Sequence, residues 1–215
     1  MSTAARNSAR TAAILIAFTI AGTALLAYTF NITRDRIAAS EEREKLALIT
    51  QALPPALFDN DPIADAVQLP PTEDLGTTAP SLVYRATLKG TPAALVFEAI
   101  APDGYSGKIK MLVAVRANGE LAGVRVISHT ETPGLGDYID IAKSNWIKIF
   151  DGASLTKIPP DGWKVKKDGG RFSYTSGATI TPRAVVKAVH KTLSYFDKES
   201  GPLFAAAPKR KEHTP

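Results

Sequence analysis

The stretch KIKMLVAVRANGELAGVRVISH, residues 108–129, decides the fold. Its halves, KIKMLVAVR (108–116) and ELAGVRVISH (120–129), are rich in the β-branched and aliphatic residues of strands. Asn118-Gly119 between them predicts a two-residue hairpin turn of type I′, whose two central positions both take positive φ. The two runs therefore pair antiparallel. Working outward, LVYRATL (82–88) and ALVFEAI (94–100) read as two more strands, whereas DYIDIAKSNWIKIF (137–150) fits a short amphipathic helix burying Ile141, Trp146 and Ile149. GWKVKKDGGRFSYTSGAT (162–179) reads as short strands around an Asp168-Gly169-Gly170 turn. In TPRAVVKAVHKTLSYF (181–196), Thr181 is placed as N-cap, Pro182 at the first helical position, and Val185, Val186, Val189, Leu193 and Phe196 along one face. Strands followed by helices make an α+β domain with a mainly antiparallel sheet.

Ahead of the strands lies TAAILIAFTIAGTALLAYTFNIT (11–33), with no charge between Arg10 and Arg34. As a helix it would run ~34 Å, enough to cross a bilayer. A cleaved signal peptide is the rival, since Arg6 and Arg10 precede the run and Gly22-Thr23-Ala24 is a small-residue stretch. The apolar run continues through Leu25, Leu26, Tyr28 and Phe30, which favours a retained anchor. Charges flank both ends, with Arg34, Arg36, Arg43 and Lys45 on the far side, so orientation does not follow from them. RDRIAASEEREKLALITQAL (34–53) reads as a stalk helix stopped by Pro54-Pro55, and 54–81 as an irregular connection. The expected organisation is an N-terminal segment (1–10), a transmembrane helix (11–33), stalk and connection (34–81), a folded domain (82–200) and a flexible tail (201–215).

The chain of 215 residues has no cysteine, which excludes disulfides and thiolate-held iron–sulfur clusters. Any redox role then needs a different cofactor. The net charge of +5 gathers visibly only at KVKK (164–167) and KRK (209–211), without the interleaved aromatics of a nucleic-acid binder. No nucleic-acid partner is expected.

Two loops carry candidate chemistry. In YTSGATITPRAVVKAV (174–189), hydroxyl residues crowd the start of the last helix. They read either as spare caps or as an anion site, where a helix end attracts a phosphate and Gly177 and Ala178 leave room for a bulky group. HTETPGLGD (129–137) ends the fourth strand; Ile139 stands where a dinucleotide fingerprint needs its third glycine, so the segment reads alone as a turn. A hydrolase with Ser176 or Thr179 as nucleophile and His129 as base lacks a third member.

Taken in order, LPPALFDNDP, APDGYSGKIKMLV, HTETPGLGD, WKVKKDGG and SGATITPRAVVKAV resemble the G subunit of the Rnf (Rsx) electron-transport complex. That family is related to the C subunit of the sodium-pumping NADH:quinone reductase. The resemblance runs from the membrane span to about residue 196 and implies a covalent FMN, one per chain, ester-linked through its phosphate to Thr179. Ser176, Gly177 and Ala178 would surround the phosphate. Thr132 and Leu135 would pack on the isoalloxazine, Glu131 would set the loop, and Gly134 and Gly136 would permit close approach. One of Lys166 or Lys167 would sit near the ring, although each reads equally as a solvated strand face. Tyr105 and Trp146 read as core aromatics in preference to flavin-stacking ones. Family members commonly carry an acidic residue several positions upstream of the S/T-G-A-T motif, where this chain has RFSYT (171–175).

The resemblance further implies a separate flavin transferase for maturation and, as partners, the A, B, C, D and E subunits of the complex. It implies a single-pass location in the bacterial inner membrane with the domain in the periplasm. The chain would relay electrons in a complex that couples transfer between ferredoxin and NAD to ion movement. It would thus belong to a redox-driven translocase without being catalytic alone. The alternative is a membrane-tethered binding or assembly subunit without a redox group.

Overall fold

In a computed structural model, which describes residues 3–206, the chain divides at Lys45/Leu46 into two compact units. Helix α1 runs from Thr3 to Ala52, so the span and the stalk are one uninterrupted helix. Its stretch Ala9–Arg34 is long and apolar enough to cross a membrane, and the large side chains from Ile14 to Ile32 are exposed, as a lipid-facing surface requires.

The second unit is built on a five-stranded sheet: β1 (Ala66–Leu69), β2 (Ser81–Leu88), β3 (Thr91–Ala101), β4 (Ile109–Arg116) and β5 (Leu121–Ser128). Neighbours in sequence are neighbours in the sheet, and every pair is antiparallel. The four longer strands fall where the sequence places them. Strand β1 lies inside the segment read as irregular; Val67 and Leu69 join the core there, Val67 directly opposite Val83 of β2. The β4–β5 connection also differs from expectation. Only Gly119 takes positive φ (81°), Gly119 N–H donates to the Arg116 carbonyl (2.9 Å) and Arg116 N–H to the Glu120 carbonyl (2.8 Å). This is a three-residue loop with a glycine bulge. Two successive positive φ values occur instead at Lys89 (51°) and Gly90 (74°), between the paired residues Leu88 and Thr91.

Helix α2 (Ile180–Ala205) lies on one face of the sheet, burying Val185, Val189, Leu193 and Phe196 in one core with Leu95, Phe97 and Val113. Phe97 meets Tyr195 and Phe196 edge-on at 6.0 and 6.4 Å between ring centres. The opposite face is covered by Ile49, Ala52 and Leu53 at the end of α1, with Leu57, Phe58 and Ile63. A Cβ on Gly123 would lie 2.5 Å from the Ala52 carbonyl oxygen, so the close approach of that turn requires glycine.

Residues 137–150, expected as a helix, form two 3₁₀ segments, Asp137–Ile139 and Asn145–Phe150. The Asp140 carboxylate accepts from Ala142 N–H (2.9 Å) and Ser144 Oγ from Trp146 N–H (3.1 Å), and these local bonds interrupt a continuous helix. The expected strands around Asp168-Gly169-Gly170 reduce to a single bridge, Val165 with Phe172, around a 3₁₀ turn at Lys166–Asp168.

Helix α2 continues past Gly201, where the sequence predicts a tail; residues 207–215 lie outside the described ones. The reason is Arg85 on β2, which is buried. Its guanidinium donates to the carbonyls of Phe204 (3.2 Å) and Ala206, to the Asp65 carbonyl (3.2 Å), and pairs with the Asp65 carboxylate. A cation at the carbonyl end of a helix is favourable through the dipole as well as through these bonds. Arg85→Met should lower the stability of the full chain in detergent by about 2–3 kcal/mol, the worth of a charged hydrogen-bond set. Chemical denaturation measures this; an unchanged midpoint would show that the helix end holds without the cation.

Candidate functional site

Because the sheet is a meander, the β3–β4 connection and the segment leaving β5 emerge at the same end. The start of α2 meets them there. A hollow of about 110 Å³ opens between these three segments, lined by Tyr105, Glu131, Thr132, Leu135, Gly136, Gly177, Ala178, Thr179, Ile180 and Thr181.

Glu131 joins the three segments. It is 4% exposed. One carboxylate oxygen accepts from Ser106 N–H (3.0 Å) and the other from the Thr181 hydroxyl. The same two loops are joined again by Thr130, whose hydroxyl donates to the Ser106 carbonyl (2.8 Å). Gly136 allows the packing: a Cβ there would stand 3.0 Å from both Glu131 Oε2 and Thr181 Oγ1.

The 132–137 loop is a tight turn in which the Thr132 carbonyl accepts from Leu135 N–H (3.1 Å) and Gly136 N–H (3.0 Å). Gly134 takes φ +75° and its N–H donates to the buried Asp137 carboxylate (2.8 Å). Across the hollow, Thr175–Ala178 form a second turn with Gly177 at φ +89° and Ala178 N–H donating to the Thr175 carbonyl (3.1 Å). Positive φ at the third residue is the type II pattern, which favours glycine there.

Helix α2 starts after one intervening residue. Thr179, not Thr181, stands at the N-cap position; Thr181 is buried within the first turn and bound to Glu131. Thr179 is half-buried, has φ −90° and ψ −28°, and its side chain makes no capping bond. The first helical bond runs from Arg183 N–H to the Thr179 carbonyl (3.3 Å), and Pro182 has no N–H. The helix therefore presents the amides of its opening residues and its positive dipole end toward the hollow. Arg183 itself is engaged with Asp168 in a two-pronged pair, both contacts at 2.5 Å. That guanidinium holds the Asp168 carboxyl below its ordinary range.

Of the residues singled out from sequence, Glu131, Thr132, Leu135, Gly136, Gly177, Ala178 and Thr179 are brought together around the hollow. Gly134 and Ser176 belong to its two turns without lining it, and Ser176 is exposed. Lys166 lines a separate hollow of about 300 Å³ with Lys157 and Arg171, and Lys167 is exposed and lines neither. His129 does not line the site; its Nδ1 accepts from Glu131 N–H (3.1 Å). Trp146 packs partly buried against the core, as expected, whereas Tyr105 is a correction: it is 64% exposed at the rim of the hollow. Ile180 and Thr181 also line it, although no sequence signal beyond their place at the helix start marks them. Tyr105, Leu135 and Ile180 together give the mouth an exposed apolar surface. A larger hollow of about 460 Å³, bordered by the pairs Lys187–Asp103 (2.7 Å) and Lys191–Glu73 (3.4 Å), contains none of the residues chosen from sequence.

Residues 104–194 match the FMN-binding domain family, and residues 1–52 match the RnfG N-terminal region. The chain is 47% identical over 200 residues to the G subunit of the ion-translocating oxidoreductase complex of Pseudomonas aeruginosa, covering 93% of this chain and 94% of that one. To the G subunit of the same complex from Vibrio cholerae it is 45% identical over 190 residues, 88% of this chain and 90% of the other. Among solved structures it is similar to Shewanella oneidensis NqrC at 24% identity, over 69% of this chain and 76% of that chain, with a TM-score of 0.48.

Removing the Thr181 hydroxyl leaves one oxygen of a buried carboxylate without its donor. Thr181→Val should destabilise the full chain by about 2 kcal/mol, read as a lowered midpoint in denaturant. Wild-type stability in this variant would mean that Glu131 is satisfied without Thr181.

Proposed function

The chain belongs to the family of G subunits of ion-translocating oxidoreductase (Rnf) complexes, and on that footing we propose that it is a membrane-anchored flavoprotein carrying FMN esterified to Thr179. Electrons exchanged between ferredoxin and NAD pass through it while the complex moves ions. The bound flavin would supply both one- and two-electron redox chemistry.

The observation that carries this reading is the state of Thr179. Were it only a helix cap, its hydroxyl would bond an amide of the first turn. It makes no such bond, and it faces a hollow inside the segment that matches the FMN-binding domain. This favours a flavin carrier over a tethered assembly subunit with no cofactor.

The hollow suits the phosphate end of the cofactor. Its volume of about 110 Å³ equals the space of three or four waters at ~30 Å³ each, far below the ~300 Å³ at which ligand pockets usually begin. Opening amides of α2 and its dipole suit the single negative charge of a phosphodiester. Gly177 and Ala178 border the phosphate, Gly177 without a side chain to block it, and Ser176 stands in the adjoining turn. The ring then lies outside, against Thr132, Leu135, Ile180 and Tyr105, with Glu131, Gly134 and Gly136 fixing the loop beneath it. Lys166 and Lys167 would reach the ring's surroundings only from the neighbouring turn.

Attachment is a phosphoryl-group transfer without net oxidation. The Thr179 oxygen attacks the FMN-side phosphorus of FAD, a Thr O–P bond forms, the P–O bond to AMP breaks, and the hydroxyl proton is lost as AMP departs. A flavin transferase with Mg²⁺ performs it, so this chain is the substrate. The burial of Thr181 and its bond to Glu131 favour Thr179 over it as acceptor.

Co-expression with the transferase should give a yellow protein whose flavin maps by peptide mass to Thr179, and Thr179→Ala should be colourless. Flavin on Thr175 or Ser176, or a flavinylated Thr179→Ala, overturns the assignment. For location, we propose α1 as a retained single-pass anchor in the inner membrane, with the domain in the periplasm beside the A, B, C, D and E subunits. A tethered flavin is not lost from a compartment where free flavin is scarce. Protease added to spheroplasts should digest the domain; protection would reverse the topology.

A further inference from the structure

Tyr138 stands behind the 175–178 turn and does not line the hollow. In a regular two-residue hairpin the residues flanking the loop exchange both N–H···O bonds. Thr175 and Ala178 form one antiparallel bridge but exchange only one such bond, Ala178 N–H to the Thr175 carbonyl. Both groups of the other pair are bonded by the Tyr138 phenol. Its oxygen accepts from Thr175 N–H (3.2 Å) and its proton goes to the Ala178 carbonyl (3.3 Å).

The phenol is itself fixed. Its ring meets Trp146 edge-on at 5.3 Å, Trp146 meets Phe150 edge-on at 5.7 Å, and the Trp146 indole N–H donates to the Ser173 carbonyl (2.8 Å). One aromatic pair thus grips the turn at Ser173, Thr175 and Ala178. Burial raises the Tyr138 pKa, so the phenol retains the proton it donates. Thr179 is the next residue along the chain.

We propose that Tyr138 is a positioning residue for flavin attachment: its hydroxyl, inserted into the second bond of the Thr175–Ala178 turn, holds that turn open and sets the direction in which Thr179 offers its oxygen. The proposal rests on the reading of Thr179 as the attachment point. Without the phenol oxygen, Thr175 N–H can close directly on the Ala178 carbonyl at ~2.9 Å, which draws the Ala178 peptide inward. A reacting atom displaced by ~1 Å can lose ~10²-fold in rate.

The test uses full-length wild type, Tyr138→Phe and Trp146→Phe in detergent, with purified transferase, FAD and Mg²⁺. Attachment is followed by flavin fluorescence of the denatured band and by intact mass. In Tyr138→Phe, kcat for attachment should fall by about tenfold or more while KM for the chain and the thermal midpoint stay near wild type. Trp146→Phe, which keeps a ring but loses the bond to Ser173, should fall between. Hydrogen exchange on the unmodified chains should change at Thr175 and Ala178 but not in α2 beyond Val185. Wild-type kcat in Tyr138→Phe overturns the proposal, and so does a loss of kcat matched by a fall in thermal midpoint, which makes Tyr138 a packing residue only. If wild type itself accepts no flavin, the Thr179 reading fails separately. The exchange data then decide for Tyr138: altered exchange at Thr175 and Ala178 keeps the wedge, and unaltered exchange removes it.

Discussion

A buried carboxylate needs donors, and Glu131 finds them on two different segments. Ser106 N–H comes from the β3–β4 connection and the Thr181 hydroxyl from the first turn of α2, while Glu131 itself sits in the loop leaving β5. A carboxyl group at 4% exposure is tolerated only while its oxygens are hydrogen-bonded. That requirement draws three stretches far apart in sequence to one point. The hollow, the placement of Thr179 and the exposed apolar mouth all follow from where those stretches meet. The motif resemblance implies a loop-setting role for Glu131, and its reach is wider, because it also holds the helix that bears the proposed acceptor.

Much of the fold is legible in the sequence because strand alternation is a strong local signal. The four long strands and the core face of α2 depend on nothing beyond period and residue type. What escapes is decided by contacts between distant residues or by small local bonds. Strand β1 is four residues long and exists by pairing with β2. The extension of α2 past Gly201 depends on Arg85, more than a hundred residues away. The helix expected over 137–150 is undone by two short polar side chains, Asp140 and Ser144. At the hairpins, Lys89 adopts positive φ although lysine has no special tolerance for it, whereas Asn118-Gly119 carries the usual signal yet uses only its glycine.

The candidate site is legible to a similar degree and for different reasons. Small residues and hydroxyls at a helix start mark an anion-friendly end, and the motif resemblance selects Thr179 among them. Which hydroxyl caps and which stays free cannot be read from residue type. Thr181 followed by Pro182 has the pattern of a cap, yet Thr181 turns inward to Glu131 and leaves Thr179 at the boundary. The general habit of aromatics assigns Tyr105 to the core, but its position between Gly104 and Gly107 puts it on an exposed loop at the rim. Gly104 has no room for a side chain, since a Cβ would stand 2.3 Å from the Gly107 carbonyl oxygen.

Helix α2 is held at both ends by buried charge: Glu131 grips Thr181 near its start, and Arg85 grips the carbonyls of Phe204 and Ala206 at its finish. A surface loop absorbs an extra residue by bulging, but one residue added within a helix advances everything beyond it by ~1.5 Å and turns it by ~100°. An insertion or deletion between Thr181 and Phe204 could therefore satisfy one anchor only by abandoning the other. The chain can vary in the composition of α2's outer surface, but its length there is gauged. Drift by insertion is left to the segments that neither charge reaches.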